Sequence, residues 1–213
     1  MLRMLILAID TSTPAGSVGV LRDDRVLGIV STWVAETYSS RIFRHLEFLL
    51  SELSIKTAEI DLFAVAAGPG SFSGLRVGLA AAKAWAEVHK KPIAAVSTLE
   101  SVAAQVRLEG QNSSRGSLPV VVPMLDARRG QVYAGVYRPN TPSASSAESA
   151  LNGLGIDDLM RVGEERVMSA AEFLAVLRGE VADDPVIFAT PTPEILSAAL
   201  AASPYRDSQV VRA

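Results

Sequence analysis

Apolar residues in this chain come first in short runs and then at helical spacing. Residues 5–9 form a continuous apolar run closed by Asp10-Thr11-Ser12-Thr13-Pro14, which predicts a buried strand followed by a polar turn. Residues 17–21 predict a second strand. Asp23-Asp24 supplies a turn, and residues 26–34, rich in β-branched side chains, predict a third strand. A meander of three antiparallel strands is the economical arrangement. The period then changes. Ile42, Leu46, Leu49, Leu50 and Leu53 fall at i, i+4, i+7, i+8 and i+11, one face of a helix over 40–53 that Ser39 or Ser40 can cap. Phe43 and Phe48 widen its apolar surface, so this helix is either buried on two sides or meets a partner.

Residues 62–67 are the next strand, between Asp61 and Gly68. The segment Gly68-Pro69-Gly70-Ser71-Phe72-Ser73-Gly74 leads into a helix over 75–88, followed by a short strand at 93–96. Ser97-Thr98-Leu99-Glu100 has the form of a capping box opening a helix to about 108. The polar stretch 111–117 places a boundary between a lobe at 1–112 and a lobe at 113–213. In the second lobe, 118–125 and 131–137 read as strands and the Ser/Ala/Asn/Gly-rich 140–155 as a flexible loop. A capping box at Ser169 and Glu172 opens a helix to about 177. A strand at 186–189 follows, and Thr192-Pro193 opens a last helix to about 202.

The two lobes share a pattern. An apolar strand ends at Asp10 with Gly19 in the returning strand, and another ends at Asp126 with Gly135 in its return, the same nine-residue separation. Two copies of strand–Asp–turn–strand suggest a duplicated fold; the alternative is two hairpins that merely look alike. Facing hairpin turns of this kind can hold a nucleotide's phosphates through backbone N–H groups, with Asp10 and Asp126 orienting a metal or water. Asp10, Thr11 and Ser12 suit that chemistry. Asp126-Ala127-Arg128-Arg129-Gly130 suits it less, having one glycine and two arginines.

Composition narrows the field. The 213 residues include 20 Lys+Arg and 23 Asp+Glu, a net charge of −3, with no Cys and 2 His. Disulfide frameworks, zinc–thiolate sites, iron–sulfur clusters and cysteine nucleophiles are excluded. The 49% apolar content is enough for a real core. The charge balance offers no basis for binding nucleic acid or an anionic membrane by bulk electrostatics, and no targeting or membrane-spanning segment is evident, so a cytoplasmic location is expected.

The glycine segment is the most informative stretch. Gly68, Gly70 and Gly74 permit positive φ or close backbone approach, and Ser71 stands where the loop turns into a helix N-terminus, a place that favours anions. It is no Walker loop, since no Lys-Ser/Thr follows, and its spacing is not that of a dinucleotide fingerprint. A tight turn with Gly74 and Gly78 packed on a neighbour is the structural alternative, favoured for Gly78 and open for 68–74.

Four segments carry a family resemblance: Leu5-Ile6-Leu7-Ala8-Ile9-Asp10-Thr11-Ser12; the glycine segment continued through Leu75-Arg76-Val77-Gly78; Val96-Ser97-Thr98-Leu99-Glu100; and Asp126-Ala127-Arg128-Arg129-Gly130-Gln131-Val132-Tyr133. In that order and spacing the chain resembles the bacterial TsaB (YeaZ) family of tRNA threonylcarbamoyladenosine biosynthesis proteins over roughly 4–137. The resemblance implies an α/β, two-lobe, actin-like (sugar-kinase-like, ribonuclease-H-like) duplicated fold with mixed sheets flanked by helices. It implies a non-catalytic scaffold that pairs with a catalytic paralogue, TsaD, and works with the ATPase TsaE. ATP and magnesium would be used by the complex, this chain requiring no cofactor or metal of its own. The tRNA would be met only through the complex, and the chain alone would form a homodimer. Ser73 stands where the family usually has Thr. The family usually continues past Arg212-Ala213 through another helix, so a truncated end is expected.

The resemblance also implies a metal-binding His pair in the paralogue, for which this chain has Arg41, His45 and Leu49. A scaffold needs a docking surface instead. The first helix offers Ile42, His45, Leu46, Leu49, Leu50 and Leu53; the second offers Gly78, Ala81, Ala82 and Trp85. The alternative is that both helices simply cover the first-lobe sheet. A stand-alone ATP-dependent small-molecule kinase of the same fold is the competing activity. A peptidase fits less well, with no HExxH, no Cys and no spaced Ser/His/Asp set.

Overall fold

A computed structural model describes residues 4–33, 38–106, 118–139, 159–182 and 184–213. The stretches 111–117 and 140–155 lie outside them. The chain divides into two units, Met1–Thr98 and Leu99–Ala213.

In the first unit β1 (Leu5–Asp10), β2 (Ala15–Arg22) and β3 (Arg25–Trp33) form the expected antiparallel meander. Helix α1 (Tyr38–Glu52) leads to β4 (Leu62–Gly68), which returns parallel to β1. Helix α2 (Phe72–His89) leads to β5 (Ile93–Ser97), parallel to β4, so the sheet order is β3-β2-β1-β4-β5. Period-two alternation on β1 turns Leu5, Leu7 and Ile9 to one side. There they join Val18, Val20, Phe63 and Val65 in a core closed by Ile42, Leu46, Leu49 and Leu50 of α1 and Ala82 and Ala86 of α2.

The second unit has α3 (Thr98–Ala104), β6 (Val120–Arg128), β7 (Gln131–Pro139), β8 (Leu159–Ser169), α4 (Ala170–Val181), β9 (Val186–Thr190), a 3-10 turn (Pro193–Ile195), α5 (Ser197–Ala201) and β10 (Gln209–Arg212). Its sheet order is β10-β9-β6-β7-β8, with β6–β7 and β7–β8 antiparallel and β6–β9 and β9–β10 parallel. Read from β8, this repeats the order and every strand direction of the first sheet. The repeat read from two aspartates is a duplication of the whole five-stranded topology.

Six successive residues of β6 are buried because both faces of this sheet are covered. Val120, Val122 and Met124 face Phe173, Leu174 and Leu177 of α4, while Val121 and Leu125 face Leu99, Val102 and Ala103 of α3. This packing corrects the lobe boundary. It falls between Thr98 and Leu99 rather than at 112/113, because the apolar side of α3 belongs to the second core.

Two strands went unread in the sequence. On β8 the alternation is broken where the pairing with β7 shifts between Ala134 and Val136, and Gly163 takes φ +74°. β10 is four residues long and mostly exposed. The helix expected from Thr192 opens instead as a 3-10 turn, and Thr192 makes no capping bond through its side chain.

Candidate functional site

Asp10 ends β1 and its carboxylate turns back on its own chain, accepting from the Ser12 N–H at 2.7 Å and the Ser12 hydroxyl at 2.6 Å. This Asx contact folds the β1–β2 turn sharply and buries Thr11 and Ser12. The glycine segment lies directly against that turn. The Ser12 carbonyl accepts from the Ser71 N–H at 2.7 Å, and the Thr11 hydroxyl donates to the Gly74 carbonyl at 2.7 Å.

The glycines are required by this contact. A methyl built on Gly74 would overlap the Thr11 carbonyl oxygen, and one on Gly70 would lie 2.5 Å from the Ser12 carbonyl oxygen. A methyl on Gly78 would lie 2.5 Å from the Thr11 hydroxyl. Gly68 takes φ +114° and Gly70 φ +159°, where side chains are disfavoured. Ser71 is the N-cap of α2, its hydroxyl accepting from the Gly74 N–H at 3.4 Å. The Ser71 hydroxyl is also 3.5 Å from that of Ser73.

The sequence therefore located close backbone approach correctly, and the backbone that approaches is the protein's own. The N–H groups of Ser12, Ser71 and Gly74 already have protein acceptors. Asp126 repeats the device in the second unit, its carboxylate accepting from the Arg128 N–H at 2.7 Å. Asp126 and Arg128 remain exposed.

The proposed docking residues are corrected by burial. Ile42, Leu46, Leu49, Leu50, Ala81 and Ala82 all lie in the first core, and Gly78 is buried against Thr11. Leu53 and Trp85 are half-buried against the same core. The helical period had picked out the core stripe. The side chains left outside are the ones that break that period: Phe43 and Phe48 on α1, and Phe72 and Val88 on α2, each more than half exposed. Phe43 meets Trp85 edge-on at 5.8 Å, which ties the exposed sides of α1 and α2 together. The Arg76 guanidinium lies 5.5 Å over the Phe72 ring.

Of the three positions matching the paralogue's His pair, Arg41 is buried with a guanidinium nitrogen donating to the Thr32 hydroxyl at 3.0 Å, and Leu49 is core. His45 sits between them with its pKa lowered, first by burial and then by the charges of Arg41 and Arg44. Those two cations also oppose any metal ion at the imidazole.

Among known proteins, the model of the family described as TsaD, tRNA N6-adenosine threonylcarbamoyltransferase, matches residues 21–154. The tRNA threonylcarbamoyladenosine biosynthesis protein TsaB of Bacillus subtilis is 34% identical over 87% of this chain and 70% of that protein. TsaB of Escherichia coli is 33% identical over 63% of this chain and 55% of its own length. A crystal structure described as an uncharacterized protein with similarity to peptidase YEAZ from Pseudomonas aeruginosa superimposes with a TM-score of 0.74 at 24% identity, covering 98% of this chain and 83% of that one. That likeness speaks for the fold.

Proposed function

This chain belongs to the TsaB (YeaZ) family of the actin-like superfamily, and we propose from that premise that it is a non-catalytic scaffold in the biosynthesis of threonylcarbamoyladenosine on tRNA. Its role is to bind and activate the catalytic paralogue TsaD together with the ATPase TsaE. ATP and magnesium are consumed by the assembly, and the tRNA is met there.

The observation that carries this reading is the occupied glycine loop. In a nucleotide-binding protein of this architecture a turn and a glycine-rich loop would offer N–H groups to phosphates. Here the Thr11–Ser12 backbone fills the space over Gly70 and Gly74, the Thr11 hydroxyl fills that over Gly78, and the Asp10 carboxylate is bound to Ser12. The segment fixes the start of α2 against β1, which holds the α1–α2 surface in place. Phe43, Phe48 and Val88 are the docking side chains on it, and the same surface forms a homodimer when the paralogue is absent.

Reconstitution tests the reading. Purified TsaD and TsaE with tRNA, ATP, magnesium and a threonylcarbamoyl donor should modify tRNA only when this chain is added. Equal modification without it refutes the scaffold role. Calorimetric titration of the isolated chain with ATP and magnesium should show no tight binding; tight binding would favour the kinase.

A further inference from the structure

We propose that the tip of the β6–β7 hairpin, with the groove beside it along α4 and α5, binds the phosphodiester backbone of RNA. This rests on the tRNA-modification reading and deepens it by placing a substrate contact on this chain.

The turn is built against its own conformational preference. Arg128, Arg129 and Gly130 follow one another at φ +70°, +53° and +76°. Arg128 pairs with Gln131 across the strands, so Arg129 and Gly130 are the two central residues of a hairpin turn with both φ positive. Asn-Gly or Asp-Gly is the preferred pair there, and an arginine is disfavoured by its Cβ. Asp126 holds this conformation through its bond to the Arg128 N–H. The strained backbone thus presents two guanidinium groups where local folding alone would choose neither, the pattern expected where strain serves a contact.

Those groups are available. The Arg128 side chain is 80% exposed and 3.7 Å from the Asp126 carboxylate, an exposed pair that holds it weakly. Arg129 is exposed, and no ion pair involves it among the described residues. Gly130 lines one part of an open groove of 710 Å³. Arg178 of α4 lines it too, again with no ion pair among the described residues. Small side chains (Ala171, Ala175, Ala198 and Ala202) let a bulky strand come close beside Arg178. Glu172, the nearby acid, is engaged by the Ser169 hydroxyl and N–H.

A guanidinium grips phosphate oxygens bidentately. Among the described residues no aromatic ring lines the groove, so they offer bases no stacking platform and the contact reads backbone rather than sequence. A chain with net charge −3 has no general attraction for RNA, so these three cations would act locally, with the assembled complex supplying the rest.

The test uses the full chain in the reconstituted assembly, with tRNA affinity measured by fluorescence anisotropy across a salt series. Arg129→Gly removes the Cβ that positive φ disfavours, so the isolated chain should melt at a higher temperature. The complex should nevertheless bind tRNA about threefold more weakly. Arg129→Gly with Arg178→Ala should weaken binding about tenfold and reduce the salt slope by about one per arginine removed, with co-elution of the subunits unchanged. Unchanged affinity and salt slope overturn the proposal. So do variants that lose subunit assembly while the assembled fraction binds tRNA normally, which would make the tip a protein contact. The scaffold reading is judged separately in the same reactions, by whether the unaltered chain is needed for modification.

Discussion

The fit of the β1–β2 turn into α2 gives a prediction with a change of sign. Gly78→Ala adds a methyl 2.5 Å from the Thr11 hydroxyl, while its next neighbours, Thr11 Cβ and Val65 Cγ2, stand at an ordinary 3.6 Å. The conflict is with one oxygen. Alanine in place of glycine inside a helix gains about 1 kcal/mol. Overpacking at a buried site costs about 1–3 kcal/mol. If Thr11 rotates away instead, its bond to the Gly74 carbonyl is lost, at about 1 kcal/mol. Gly78→Ala alone should therefore destabilise by about 0–2 kcal/mol. Thr11→Ala removes the oxygen and should cost about 1–2 kcal/mol by itself. In that background the Gly78→Ala methyl has no clash, and the substitution should stabilise by about 1 kcal/mol. The coupling is then about 1–3 kcal/mol. Urea unfolding followed by tryptophan fluorescence measures it, since Trp33 and Trp85 both report on the first unit. If Gly78→Ala has the same effect in both backgrounds within about 0.5 kcal/mol, the packing argument is wrong.

Two further outcomes follow from the same unit. Leu46→Glu puts a carboxylate into the first core and should unfold that unit, whereas Phe48→Glu should leave the melting temperature near that of the parent and abolish pull-down of TsaD; a folded Phe48→Glu variant that still binds normally removes Phe48 from the docking surface. The Asp61 carboxylate accepts from the Leu5 N–H at 3.0 Å and pairs with Lys91 at 3.1 Å, and these partners hold its pKa below the ordinary carboxylate value. A depressed folded pKa means that the stabilisation is complete above the ordinary carboxylate range and is lost as pH falls through the folded value. Asp61→Asn should accordingly flatten the acid limb of the melting-temperature profile, and an unaltered limb would show that other carboxylates set it.

Elements with an uninterrupted period were legible in the sequence: the meander, α1, β4, α2 and the β6–β7 hairpin all stand where hydrophobic spacing put them. Function was harder to read, because periodicity reports the buried side of an element. Ile42, Leu46, Leu49 and Leu50 satisfied the helical spacing because they pack into the first core against β2 and β3, while Phe43 and Phe48, which spoil it, are the surface. The glycines announced a close approach without naming the approaching group. Thr11 and Ser12 are sixty or so residues away in the chain, and only the β1–β4 pairing brings them together. β8 was hidden where its pairing with β7 slips by two residues, from Ala134–Arg166 to Val136–Val162, which interrupts its alternation.

The two hairpins show how one topology can be put to different uses. Each carries, at or near the end of its first strand, an aspartate that accepts from the N–H two residues on, and each feeds the same sequence of antiparallel and parallel neighbours. Their surroundings then part. The first turn carries Thr11 and Ser12, small enough to be buried under three glycines, and its polar groups are consumed in fixing α2. The second carries two arginines at positive φ, far too large for such burial, and Arg128 and Arg129 stay exposed. A phosphate-binding turn would offer free N–H groups on small residues. The first turn is filled by its own contacts and the second is crowded with cations, so each turn, taken within its own unit, has left that use behind.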